Sequence, residues 1–157
     1  MPELTGIIRG ARRPRLRDLI LAVIVIGMLG LIAELFLQEH TESWQQWIPL
    51  VALGGGVISV ALVRLSPGRG TMLLFRAVML LFLLAGLLGV YLHYVGNVEF
   101  ALERKPELSG LSLLWEALRG ATPALAPGAL AQLGLLGLVY AYGYSNGSNA
   151  SQNGETK

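Results

Sequence analysis

The chain has 157 residues, 54% of them hydrophobic and only 14% charged, with a mean hydropathy of +0.58. That is too apolar and too sparsely charged for an ordinary soluble domain, and a bilayer is the solvent that fits. No cysteine is present, which excludes disulfides, thiolate metal sites, iron–sulfur clusters and thiol catalysis, and the formal charge of +2 decides little beside the way the charges are distributed.

Residues 1–18 form a basic arm carrying Arg9, Arg12, Arg13, Arg15 and Arg17, with Pro2, Gly6, Gly10 and Pro14 discouraging a continuous helix. The apolar run that follows is longer than the core of a signal peptide and lacks a small-x-small cleavage pattern, so it reads as an uncleaved first membrane span over 19–38. Glu34 sits near the far end of that run, and Gln38, Glu39, His40 and Glu42 follow it. The second span covers 47–63. Trp44 and Trp47 mark its interface, Pro49 lies in its first turn, and Arg64 closes it before the turn LSPGRG. The third covers 72–95, with Arg76 near its start, Tyr91, His93 and Tyr94 near its end, and a break signalled by Gly96-Asn97.

Residues 97–126 form the one sizeable segment outside the membrane. Within it Leu111, Leu114, Trp115 and Leu118 recur at i, i+3, i+4 and i+7, which predicts a short amphipathic helix lying in the interface or across the mouth of the bundle. The fourth span covers 127–144, with Pro127 suited to a first helical turn. Residues 145–157 are a polar tail expected to lack a fold of its own.

The expected architecture is therefore all-α, a polytopic bundle of four transmembrane helices with one interfacial helix. Lys and Arg concentrate in the arm and at the turn containing Arg64, Arg69 and Arg76, whereas the loop 39–46 has none, which places both termini in the cytoplasm. Asn146-Gly-Ser and Asn149-Ala-Ser match the glycosylation sequon but fall in that cytoplasmic tail. Compactness suggests a prokaryotic inner membrane. Small-xxx-small pairs (Ala52/Gly56, Gly55/Ser59, Ala85/Gly89, Gly137/Ala141) supply close helix contacts, within the chain or between copies.

Candidate functional residues gather on the outer side: Glu34, Glu39, His40, Glu42, His93, Asn97, Glu99 and Gln132, the last expected at about the depth of Glu34. Imidazole and carboxylate suit a divalent metal, and His40, His93, Glu39 and Glu99 are the candidate ligands; the two histidines are also candidates for haem. No EXXH or HXXXH spacing puts two ligands on one helical face. Glu34 and Gln132 are the intramembrane polar groups, and Trp44, Trp47 and Trp115 the interface aromatics. Four short helices with a carboxylate in the first are similar to the small multidrug resistance transporters, and that likeness implies proton coupling through Glu34. The chain departs from them in its long outer loop, its basic arm and the outer position of Glu34. Phosphate-cradling, hydrolase and DNA-binding motifs are missing, and the arginine arm is a topology signal that also meets anionic lipid, with no nucleic-acid partner expected. The expectation is a non-enzymatic membrane component, an accessory subunit or a self-associating bundle. A metal- or haem-binding redox protein and a small proton-coupled transporter are the alternatives.

Overall fold

The computed structural model describes residues 16–39, 44–120, 125 and 127–152. Five helices account for them: α1 (Leu16–Leu37), α2 (Trp44–Leu65), α3 (Arg69–Arg104), α4 (Gly110–Leu118) and α5 (Gly128–Gln152), with no strand among the described residues. Three helices are long and apolar enough to cross a membrane: α1, Gln46–Leu65 of α2, and α3. Their outer surfaces remain apolar, with Val23, Ile26, Val51, Ile58, Leu80, Leu84 and Leu88 all exposed. An exterior of this kind suits hydrocarbon and would be a liability in water.

Local chemistry accounts for the helix ends. Asp18 lies in the first turn of α1, where a carboxylate meets the positive end of the helix dipole. At the other end the Gln38 amide donates to the Glu34 carbonyl at 2.9 Å, and Glu39 takes φ +52, the left-handed conformation that often terminates a helix. Between α2 and α3 the Gly68 amide donates to Thr71 Oγ1 at 3.0 Å, which secures the start of α3. The largest departure from expectation is the length of α3. It continues through Gly96 and Asn97, where a break was expected, to Arg104. Its 36 residues, at about 1.5 Å each, reach well past a hydrocarbon core of about 30 Å. Similarly, α5 runs through 145–152, the first part of the segment read as a structureless tail.

The four long helices form a ring: α1 packs on α2 and α5, and α3 packs on α2 and α5, so α1 and α3 stand diagonally. The core comes from one stripe on each helix. On α1 it is Leu21, Ile24 and Met28; on α3 it is Met72, Phe75, Met79 and Phe82, joined by Leu53 and Val60 of α2 and Leu130 and Leu133 of α5. The i, i+3, i+7 spacing keeps each stripe on one side of its helix. Glycines set how closely the helices approach. A Cβ on Gly86 would strike the backbone of Ala131, one on Gly134 would lie 2.5 Å from both Met79 O and Leu83 N, and one on Gly56 would collide with Phe82 and Met28. Three of the small pairs seen in the sequence thus serve contacts inside the chain, through Gly56, Gly89 against Pro127, and Gly137 against Met79. Gly54 and Gly55 meet nothing.

Candidate functional site

One end of the ring is cationic. The Arg17 guanidinium stacks on the Tyr140 ring with its carbon 4.7 Å from the centroid, and Arg17 Nη2 donates to the Tyr140 carbonyl at 3.4 Å. Arg76 Nη2 donates to the next carbonyl, Ala141 O, at 2.9 Å. Phe75 meets the same Tyr140 edge-on at 5.6 Å. Alongside, Arg64 pairs with Asp18 at 3.1 Å, tying the end of α2 to the start of α1. The start of α1, the end of α2 and the start of α3 therefore share this arginine end with the stretch of α5 around residue 140. The sequence places these arginines at the ends of spans but does not name their partners; an arginine near a span end and an aromatic at 140 suit a cation–π contact of the kind formed here.

At the opposite end α3 rises past its neighbours and α4 folds back against it, making an elbow. Asn97 is the joint. It is 2% exposed, and its Nδ2 donates to the Ala117 carbonyl of α4 at 2.9 Å. Gly120 is required beside it, since a Cβ there would overlap the Asn97 amide. Lys105 Nζ reaches Glu116 Oε1 at 2.9 Å across the same joint. That hydrogen bond, and then the Lys105 charge itself, hold the Glu116 carboxyl below its ordinary value; Arg104 and Arg119 add smaller pulls in the same direction. Arg104 lies over Phe100 at 5.5 Å and Arg119 over Trp115 at 5.8 Å. A crevice of about 340 Å³ opens between the two helices, with Asn97 and Ala101 on one wall and Glu116 and Arg119 on the other.

The side of α4 that packs is not its apolar stripe. Ala117 is fully buried against α3, while Leu111 (83% exposed) and Trp115 (61%) turn away from the chain and Leu114 and Leu118 are partly exposed. Small size at 117 and the amide of Asn97 decide the docking, and the large apolar side chains are left free.

Among the described residues the outer polar side chains are spread over different elements. Glu34 is exposed and accepts a hydrogen bond from Gln38 Nε2 at 3.1 Å. Glu39 and Glu99 are exposed, and His93 is half-buried and already engaged by its surroundings. Glu34 belongs to α1 and Glu39 to the turn just beyond it, whereas His93 and Glu99 belong to the diagonal neighbour α3. Among the described residues no three of His, Asp and Glu come together as a set able to hold a metal ion. His40 and Glu42 lie outside the described residues. Trp44 and Trp47 are exposed at the start of α2, as interface aromatics would be. Gln132 is displaced from its expected level. Leu133 packs on Gly27, so Gln132 lies level with Gly27 and Met28, nearly two turns short of Glu34, and its side chain is exposed.

An all-helical chain with three helices long and apolar enough to span is the make-up of a multi-pass membrane protein. No protein-family model, curated protein or solved structure matches the chain.

Proposed function

We propose that the protein is a non-catalytic component of a membrane assembly, a four-span bundle that presents the α3–α4 elbow to a partner subunit. The carrying observation is the outward turn of Leu111, Trp115 and Leu118 on a helix that Asn97 and Lys105 clamp in place. A rigid mount whose large apolar side chains stay exposed is what an interface anchor requires, and Trp is among the residues enriched as such anchors. The same row also suits the bilayer surface, so α4 rests in the interface with Trp115 at headgroup level when no partner covers it. On this reading α5 is the fourth span. Its apolar stretch Gly128–Tyr142 covers about 22 Å, and the polar residues beyond it continue the helix at the arginine end. Arg64, Arg69 and the arm then face the cytoplasm with both termini, as in a prokaryotic inner membrane.

The test is native mass spectrometry of the tagged chain, extracted gently from its own membrane, beside a Leu111→Ser/Trp115→Ala variant. A partner mass in fixed stoichiometry that disappears from the variant supports the reading. A partner retained by the variant would place the interface elsewhere, and a metal or haem mass on the chain would favour the redox alternative.

A further inference from the structure

Gln132 is in an unusual place. The contacts between α3 and α5 fix a register in which one helix descends as the other rises: Gly89 lies against Pro127, Gly86 against Ala131, Met79 against Gly137, and Arg76 against the Ala141 carbonyl. On that register Gln132 stands level with Leu84 and Ala85, midway between Arg76 at one end and His93 at the other. The α1 contact agrees, because Gly27, beside Leu133, lies midway between Asp18 and Glu34. Two neighbouring helices thus place the Gln132 amide at the middle of the apolar thickness of the bundle.

It does not face inward there. Gln132 is exposed, on the side of α5 that also carries Leu135 and Val139, both more than half exposed. Its amide makes no hydrogen bond among the described residues. If α5 spans the membrane, as proposed above, this amide points into hydrocarbon, where neither its N–H donors nor its oxygen has a partner and where an unsatisfied polar group is costly.

We infer that a second copy of this chain covers this face, with the two Gln132 side chains hydrogen-bonded to each other across a two-fold axis. The choice of occupant follows from the chemistry of the group. An amide carries donor and acceptor together, so it is its own complement, and a neutral one brings no repulsion between copies. All copies in one membrane share an orientation, so a two-fold axis along the membrane normal brings Gln132 to Gln132 at equal depth, with Leu135 and Val139 meeting their equivalents one and two turns along. Polar side chains that bond across helices in this way are an established glue for membrane spans.

The inference rests on α5 being a span, and the test separates the two. The chain lacks cysteine, so single-cysteine variants of the full-length protein can be reconstituted in phospholipid vesicles without background. Oxidation is expected to yield a disulfide-linked dimer from Leu135→Cys and from Val139→Cys, but not from Leu29→Cys or Ile58→Cys, which are equally exposed on α1 and α2. Adding Gln132→Leu to the Val139→Cys variant should weaken association about tenfold, and Gln132→Asn should restore most of it. Crosslinking that ignores Gln132→Leu, or that occurs equally at Leu29→Cys, would overturn the inference. A Gln132→Cys variant that a membrane-impermeant maleimide labels in intact vesicles would sink the span reading and this inference with it. Protection from the maleimide with no crosslinking at either position would sink this inference and leave the span standing.

Discussion

At the scale of single residues, the same residue type has opposite meanings according to what faces it. Gly134 and Gly55 are both helical glycines, yet a Cβ on the first meets two backbone atoms of α3 that cannot move aside, and on the second meets nothing. Gly134→Val is therefore expected to force α3 and α5 apart and cost about 1–3 kcal/mol. Gly55→Ala should stabilise by about 0.5–1 kcal/mol through helix propensity alone. Thermal unfolding of the two variants in one detergent checks both signs. Asn97 was legible as a helix breaker, because in sequence Gly-Asn is a turn signal, and as one of the outer polar residues, but nothing local reveals that its amide will find the Ala117 carbonyl twenty residues away. Asn97→Leu keeps the volume but removes the bond that joins the two helices, leaving Ala117 O the Gly120 N–H of its own segment at 3.3 Å, a loss of about 0.5–1.5 kcal/mol. It should appear as faster hydrogen exchange throughout α4 with α1 and α2 unchanged. Glu34 invites the opposite expectation. It is exposed and, among the described residues, its carboxylate bonds to Gln38 just beyond the helix end, so Glu34→Gln should alter stability by no more than about 0.5 kcal/mol, and loss of an activity in that variant would revive the transporter reading.

At the scale of elements, α4 shows how a pattern can be recognised and still mislead about its use. The apolar spacing at 111, 114, 115 and 118 predicted the helix, and a helix is there. Periodicity identifies an apolar face but not which neighbour it meets, and here α4 docks through the small Ala117 and leaves the stripe outside. The Lys105–Glu116 pair adds a pH dependence whose sign follows from the lowered carboxyl of Glu116. Its contribution is complete above the ordinary carboxyl value of 4.5 and is lost as the pH falls below it through the lowered folded-state value. The pair is exposed, so the effect is small and salt should weaken it. Tryptophan fluorescence from a chain retaining only Trp115 should change on acidification below about pH 4.5, and Lys105→Met should abolish that change. The length of α3 was hidden for a related reason: Asn97, Glu99, Glu103 and Arg104 interrupt the apolar run, which marks where a span ends but not whether the helix does.

At the scale of the whole molecule, the cationic end ties the ring together, since Arg17 and Arg76 come from diagonal helices and donate to adjacent carbonyls of α5. Arg76→Met should cost about 1.5–3 kcal/mol, as expected for a hydrogen bond from a charged group, and the double variant with Arg17→Met should deviate from additivity because both cations share one stretch of backbone. Unfolding midpoints of the two single variants and the double variant test this. The sequence by itself determined the helical class, three helices long and apolar enough to span and the segregation of arginine, because hydropathy and charge are properties of composition along the chain, and a long continuous apolar run satisfies its backbone in a bilayer as a helix. It could not determine which face of each span turns inward, because helices apolar on every side carry no amphipathic signal. That choice fell to shape: Phe82 and Met28 fill the space left by Gly56, Gly86 admits Ala131, and Gln132 is turned outward as a consequence of where α5 had to lie. Packing in lipid is decided by close approach between particular side chains on different helices, and that information exists only once the helices have met.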